Sequence, residues 1–264
     1  IYVNGANNIL TDNIVGSSTV NAGDDIIGIL IEADDVTVRG GRITGSTGTG
    51  GAPNYCCGIE VTPAGARRVS IEDVSIYTTD VDQIGISVGG GDNVKNCVIR
   101  GDPTTCLNFT GIWVAGVAGA SVVSGNTIEI DITDASLGAA DVVGIDLDDS
   151  ADDSTITGNI VRLWESVAGA NTTGHTDFTG IQTVGSYSSI VGNVITQQES
   201  TLNSSVNAGV FSSGLSNSII GNTLQVNGSG GGAGTSDAAG IDVTGSGCVI
   251  SGNHVLVDDD TESI

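Results

Sequence analysis

The sequence predicts an all-β solenoid: one domain over residues 1–264, in which about nine coils of three short strands each stack into three parallel sheets. Three observations predict it. The phrase Gly-Ile-x-Val, or a close variant, recurs at Gly28, Gly58, Gly85, Gly111, Gly144, Gly180, Gly209 and Gly240, at intervals of 30, 27, 26, 33, 36, 29 and 31 residues. A second phrase, Ile-x-Gly-Asn-x-Ile, answers it around Asn126, Asn159, Asn193, Asn222 and Asn253, with a degenerate early copy at Asn13. Finally, the apolar runs are short and β-branched and alternate with Ser, Thr, Asp or Gly, which is the period of a strand; no stretch keeps a helical period for three turns.

Within a coil, the first strand carries Gly-Ile-x-Val. With Ile and Val pointing inward, alternation places both Gly and x on the solvent side. The second strand ends at Ile-x-Gly, and the third follows the Asn. Asparagine tolerates left-handed backbone and hydrogen-bonds through its side chain, so it suits the tight bend between these two strands. Stacked coil on coil, such residues are expected to form a ladder of amide hydrogen bonds. Cys97 stands where its coil would have the asparagine. Cys57 and Cys248 are expected as small core residues, and a disulfide between Cys56 and Cys106 is left open.

A chain with this repeat resembles the right-handed parallel β-helix proteins of the pectate-lyase-like superfamily, which includes pectinases, bacteriophage tailspikes and repeat segments of copper-maturation periplasmic proteins. The resemblance covers the whole chain. It implies a right-handed, single-stranded β-helix of the tailspike or polysaccharide-active type, with polysaccharide lying on the outer face of the first sheet. Tailspike resemblance further implies a homotrimer or neighbouring domains that cap the helix ends, since an uncapped stack exposes strand edges. Known catalytic signatures of the superfamily are missing: there is no Gly-His-Gly with a nearby Arg-x-Lys, and no Tyr-Gly-Phe-Asp-Pro-His. Enzymatic activity is therefore open, as hydrolase or lyase.

Composition narrows the partners. The net charge is −24, from 31 acidic and 7 basic residues, and Lys95 is the sole lysine. Such a surface repels nucleic acid and anionic membrane, and it favours solubility, cations or high salt. No apolar segment reaches the ~18 residues needed to span a bilayer. The chain starts at Ile1 and is expected to be a mature or excised part of a longer product, located outside the cell, at its surface or on a virion.

The x of Gly-Ile-x-Val is where a site is expected. From coil to coil it reads Leu30, Glu60, Ser87, Trp113, Asp146, Gln182, Phe211 and Asp242. Aromatic faces stack on sugar rings and carboxylates accept from hydroxyls, so Glu60, Trp113, Gln182, Phe211 and Asp242 are candidates for binding a glycan. The alternative is that the aromatics pack under loops and the acids are simply solvated. The connection from Val161 to Gly180 is the longest and carries Trp164 and His175, which are expected to flank the middle of the column. Asp146 and Asp148 are the candidate catalytic pair, because paired carboxylates can serve as acid and base in glycoside cleavage. Asp148, Asp149, Asp152 and Asp153 have the oxygen chemistry for Ca²⁺, although a segment of this composition suits Asx turns in a solvated loop better; no cofactor is otherwise required. The functional expectation is a β-helix that binds, or also depolymerises, a polysaccharide. Its alternative is a non-catalytic structural or adhesive module of a tail, fibre or cell surface.

Overall fold

The structure, a computed structural model, describes residues 1–16, 19–20, 26–45, 47–48, 56–62, 68–78, 83–102, 108–115, 119–132, 141–165, 177–199, 206–228 and 238–259. They form a right-handed parallel β-solenoid of three sheets, each with nine strands added in chain order. The first sheet runs from Tyr2–Val3 through Asn108–Val114 to Ala238–Val243, the second from Ile9–Thr11 to Val249–Ser251, and the third from Ile14–Val15 to His254–Asp259. A small pair, Thr19–Val20 with Thr47–Gly48, lies outside these sheets. Among the described residues there is no helix.

The core is a stack of aliphatic columns. Ile29, Ile59, Ile86, Ile112, Ile145 and Ile181 continue one another along the first sheet and are at most 1% exposed. Columns from the second sheet (Ile71, Val94, Val123, Ile156, Ile190) and the third (Ile76, Ile99, Ile128, Val161, Ile195) meet it inside. In the last coil these columns lie open: Ile250 continues buried Ile219 and Val255 continues buried Leu224, yet they are 52% and 43% exposed.

One expectation about the repeat is overturned. The glycine of Gly-Ile-x-Val does not face solvent. Strand pairing runs to the residue before it, skips it, and resumes at the isoleucine, as in Thr110↔Val143 followed by Ile112↔Ile145. The strand bends at the glycine, so glycine and isoleucine both turn inward and strict alternation breaks. A Cβ on Gly144 would stand 2.3 Å from Val161 Cγ1 and 2.5 Å from the Gly180 carbonyl oxygen. The same collision with the next coil's glycine recurs from Gly28 to Gly209. Glycine is required here because two backbones and a core side chain converge on one point.

The asparagine ladder is present. Asn126, Asn159, Asn193, Asn222 and Asn253 stack so that the Oδ1 of each one after Asn126 accepts from both the backbone N–H and the Nδ2 of the asparagine one coil earlier, at 2.9–3.0 Å. Each Nδ2 also donates to a carbonyl of the coil before, as Asn159 does to Val123 at 3.0 Å. The left-handed residue of the bend, however, is the one preceding the asparagine. It is glycine where the phrase is complete, as at Gly158 (φ 64°), and Asp12, Asp73 or Asn96 where it is not. Cys97 closes its coil with a backbone N–H to Asn126 Oδ1 at 2.9 Å, and burial pushes its thiol up to about 11.

A second polar ladder, not foreseen from the sequence, lies at the turn between the first and second sheets. Ser154 Oγ accepts from the Ser121 N–H at 3.1 Å, and Asn217 Oδ1 from the Ser188 N–H at 2.8 Å. Cys248 occupies this turn, half-exposed, and is not a strand core residue; Cys57 is buried as expected. The Cys56 side chain and Cys106 lie outside the described residues.

Asp92 takes the same ladder position, with its oxygens accepting from the N–H groups of Val69 at 2.8 Å and Gly89 at 3.0 Å. Burial raises its carboxyl to about 6 and outweighs those two hydrogen bonds, which act to lower it. The folded chain therefore binds this proton more tightly than the unfolded chain does. The associated stability is complete below about pH 4 and is lost as pH rises through about 6, an effect of about 3 kcal/mol. Urea unfolding of wild type and Asp92→Asn from pH 4 to 7 checks this. The balance should move in favour of the variant as pH rises, and a pH-independent difference would contradict it.

Candidate functional site

Because the glycine bend is repeated in eight successive coils, from Gly28 to Gly240, the x position that follows it falls in register along the first sheet. Leu30 pairs with Glu60, Glu60 with Ser87, Ser87 with Trp113, Trp113 with Asp146, Asp146 with Gln182, Gln182 with Phe211, and Phe211 with Asp242. Residues neighbouring the column, such as Ile112 and Val114 beside Trp113, are buried in the core, so the column stands on the outer side. Its members are half-buried except Ser87, which is buried. One carboxylate oxygen of Glu60 and one of Asp146 are shielded from solvent. The column is a continuous polar and aromatic strip spaced by ~4.8 Å per coil.

The acidic segment beside it behaves largely as a turn. Asp148 lies just past the strand Asp141–Leu147, where its Oδ1 accepts from the Asp149 N–H at 2.7 Å and its carbonyl accepts from the Ala151 N–H at 3.0 Å. Asp152 Oδ1 accepts from the Ser186 N–H of the next coil at 2.6 Å, and Asp153 takes the left-handed conformation at φ 58°. Among the described residues no group of three or more His, Cys, Asp or Glu side chains is placed to hold a metal ion, the set Asp148, Asp149, Asp152 and Asp153 included. The structure thus brings Asp146 into the column and gives Asp148 and Asp152 hydrogen bonds that shape the turn.

The long connection is shorter than the sequence suggested. The third-sheet strand Ile160–Glu165 continues through Trp164, and the next first-sheet strand begins at Asp177. Trp164 therefore does not overhang Trp113; it stands on the third sheet, in register with Asp131 and Gln198. The alternation of buried Val161 and Leu163 carries the strand to that point. His175 lies outside the described residues. At the entry to the first-sheet strands, Asn108 Oδ1 accepts from the Asp141 N–H of the next coil at 3.2 Å.

Sequence reasoning missed a second group on the third sheet. Arg100 Nε and Arg162 Nη1 each donate to Glu129, at 2.8 Å and 2.8 Å, from the coils on either side of it. Tyr77 pairs with Arg100 in the coil before. Aligning the third strands on their asparagines and reading only outward positions would have found it. Compared with known proteins, the chain matches no family, no curated protein and no solved structure.

Proposed function

We propose that the protein binds a polysaccharide laid lengthwise on the outer face of its first sheet, outside the cell or on a virion. The observation that carries this reading is the unbroken register of Glu60, Ser87, Trp113, Asp146, Gln182, Phe211 and Asp242. Trp113 and Phe211 stand three coils apart, ~14 Å, with a carboxylate and an amide between them. A chain of sugar rings meets a ring platform at each end and hydrogen-bonding groups in the middle. The likeness of the repeat to polysaccharide-active β-helices of the pectate-lyase-like type supports the same reading. Cleavage, where it occurs, falls to Asp146 with Asp148 as its partner carboxylate. The net charge of −24 favours neutral over acidic chains.

A glycan array probed with the wild-type chain and with Trp113→Ala/Phe211→Ala tests the proposal. Retention by the wild type should fall about 100-fold in the double variant, as two lost ring contacts of ~1.4 kcal/mol each would give. A folded wild-type chain that retains no glycan would instead favour the non-catalytic structural module.

A further inference from the structure

We propose that the outer face of the third sheet carries a second carbohydrate site, a cleft bounded by Tyr77 and Trp164 that takes a short neutral oligosaccharide. The proposal rests on the reading of the protein as glycan-binding, but it places the site on a different sheet, with none of the same residues.

The cleft has a volume of about 260 Å³ and is lined by Tyr77, Arg100, Asp102, Glu129, Asp131 and Trp164. Its floor is a grid built by sheet register. Tyr77, Arg100, Glu129 and Arg162 follow one another in successive coils, and Asp131 pairs with Trp164 two residues further along the strands. Alternation puts all of them on the outward side, because Ile99, Ile128, Ile130, Val161 and Leu163 between them are buried in the core.

The floor is held in place by its own ion pairs. Glu129 Oε2 accepts from Arg100 Nε at 2.8 Å and Oε1 from Arg162 Nη1 at 2.8 Å, so one carboxylate orients two guanidinium groups. A guanidinium has five N–H donors, so Arg100, which lines the cleft, keeps further donors for a ligand, while Arg162 braces Glu129 from the next coil. Asp102 and Asp131 bring carboxylate acceptors to the same cleft. A sugar presents vicinal hydroxyls that both donate and accept, which is what such a mixed floor can satisfy. Tyr77, 38% exposed, and half-buried Trp164 lie at opposite corners, three coils or ~14 Å apart along the helix, and offer ring surfaces at the two ends. The two arginines face three carboxylates, so the site carries no excess positive charge and disfavours uronate or sulfated chains.

The sequence supplies the means to test the two sheets separately. The chain has two tryptophans, Trp113 on the first sheet and Trp164 in the cleft. In Trp113→Phe the emission reports the cleft, and in Trp164→Phe it reports the first-sheet column. Each variant is titrated with malto-, cello-, manno- and xylo-oligosaccharides, with oligogalacturonate as the charged comparison. The proposal expects Trp164 emission to change saturably with a neutral oligosaccharide, to respond less to oligogalacturonate, and to need about tenfold more ligand after Tyr77→Ala. Tyr77 is exposed and lies outside the Arg100–Glu129–Arg162 ion pairs, so this variant leaves the floor intact.

Response of Trp113 alone would overturn the cleft while leaving the first-sheet proposal standing. Response of Trp164 alone would support the cleft and remove the first-sheet placement. Silence from both, across a panel of neutral sugars, would overturn both. A Trp164 response that Tyr77→Ala leaves unchanged would also overturn the cleft as drawn here.

Discussion

Replacing Asn159 with alanine is expected to lower the unfolding free energy by about 3–5 kcal/mol. The side chain is fully buried and sits in the middle of the ladder. Its Oδ1 accepts from the Asn126 N–H and Nδ2 at 3.0 and 2.9 Å, and its Nδ2 donates to Asn193 Oδ1 and the Val123 carbonyl at 3.0 and 3.0 Å. Alanine removes all four bonds, leaves two donors of Asn126 buried without partners and takes one donor from the buried Val123 carbonyl. Each orphaned group costs about 1–3 kcal/mol, whereas the apolar area gained is negligible. Asn253→Ala is the internal comparison. Asn253 is half-exposed at the end of the ladder, so water can replace what is lost and the cost should be about 1–2 kcal/mol. Chemical denaturation of both variants checks the ranking; equal costs would mean that burial in the ladder is not the source of its strength.

Gly144→Ala is expected to be comparably damaging, about 3 kcal/mol, although it adds a single methyl. The new Cβ would meet Val161 Cγ1 at 2.3 Å and the Gly180 carbonyl oxygen at 2.5 Å. The side chain can shift only into a filled core, and the carbonyl belongs to the next coil's backbone, so relief requires separating two coils. Gly158→Ala separates this effect from conformational preference. Gly158 has φ 64° but nothing within 4 Å of its Cβ site, so alanine there should cost about 1 kcal/mol. In a solenoid each coil contacts only its neighbours, so weakening one interface should also broaden the transition and lower its denaturant dependence. A Gly144→Ala chain within 0.5 kcal/mol of wild type, roughly the scatter of neutral surface changes, would rule out the convergence of backbones at that bend.

These two residues also show what the sequence could and could not convey. The period, the order of the three strands and the column of x positions were legible because each repeats with one letter or one chemical type per coil. The ladder was legible for the same reason. The inward turn of Gly144 was not, since alternation assumes an unbent strand, and a closed coil must break that alternation somewhere. The Asp92, Ser121, Ser154, Ser188 and Asn217 turn went unnoticed because three residue types supply the same acceptor oxygen there. Trp164 was misplaced because a strand that carries Arg162 and Trp164 outward resembles a loop until Val161 and Leu163 are recognised as its buried side. The cleft around Glu129 draws its residues from four coils, so no local window contains it.

Within each coil, the inward residues specify the fold, and the proposed recognition falls to the outward letter of Gly-Ile-x-Val. The most direct test measures both properties on one pair of chains: thermal unfolding and glycan-array binding of wild type and Trp113→Ala/Phe211→Ala. The double variant should unfold cooperatively, with its core and Asn ladder intact, while retention of polysaccharide falls about 100-fold. Undiminished retention by the folded variant would contradict this expectation, and so would a folded wild-type chain that retains no glycan.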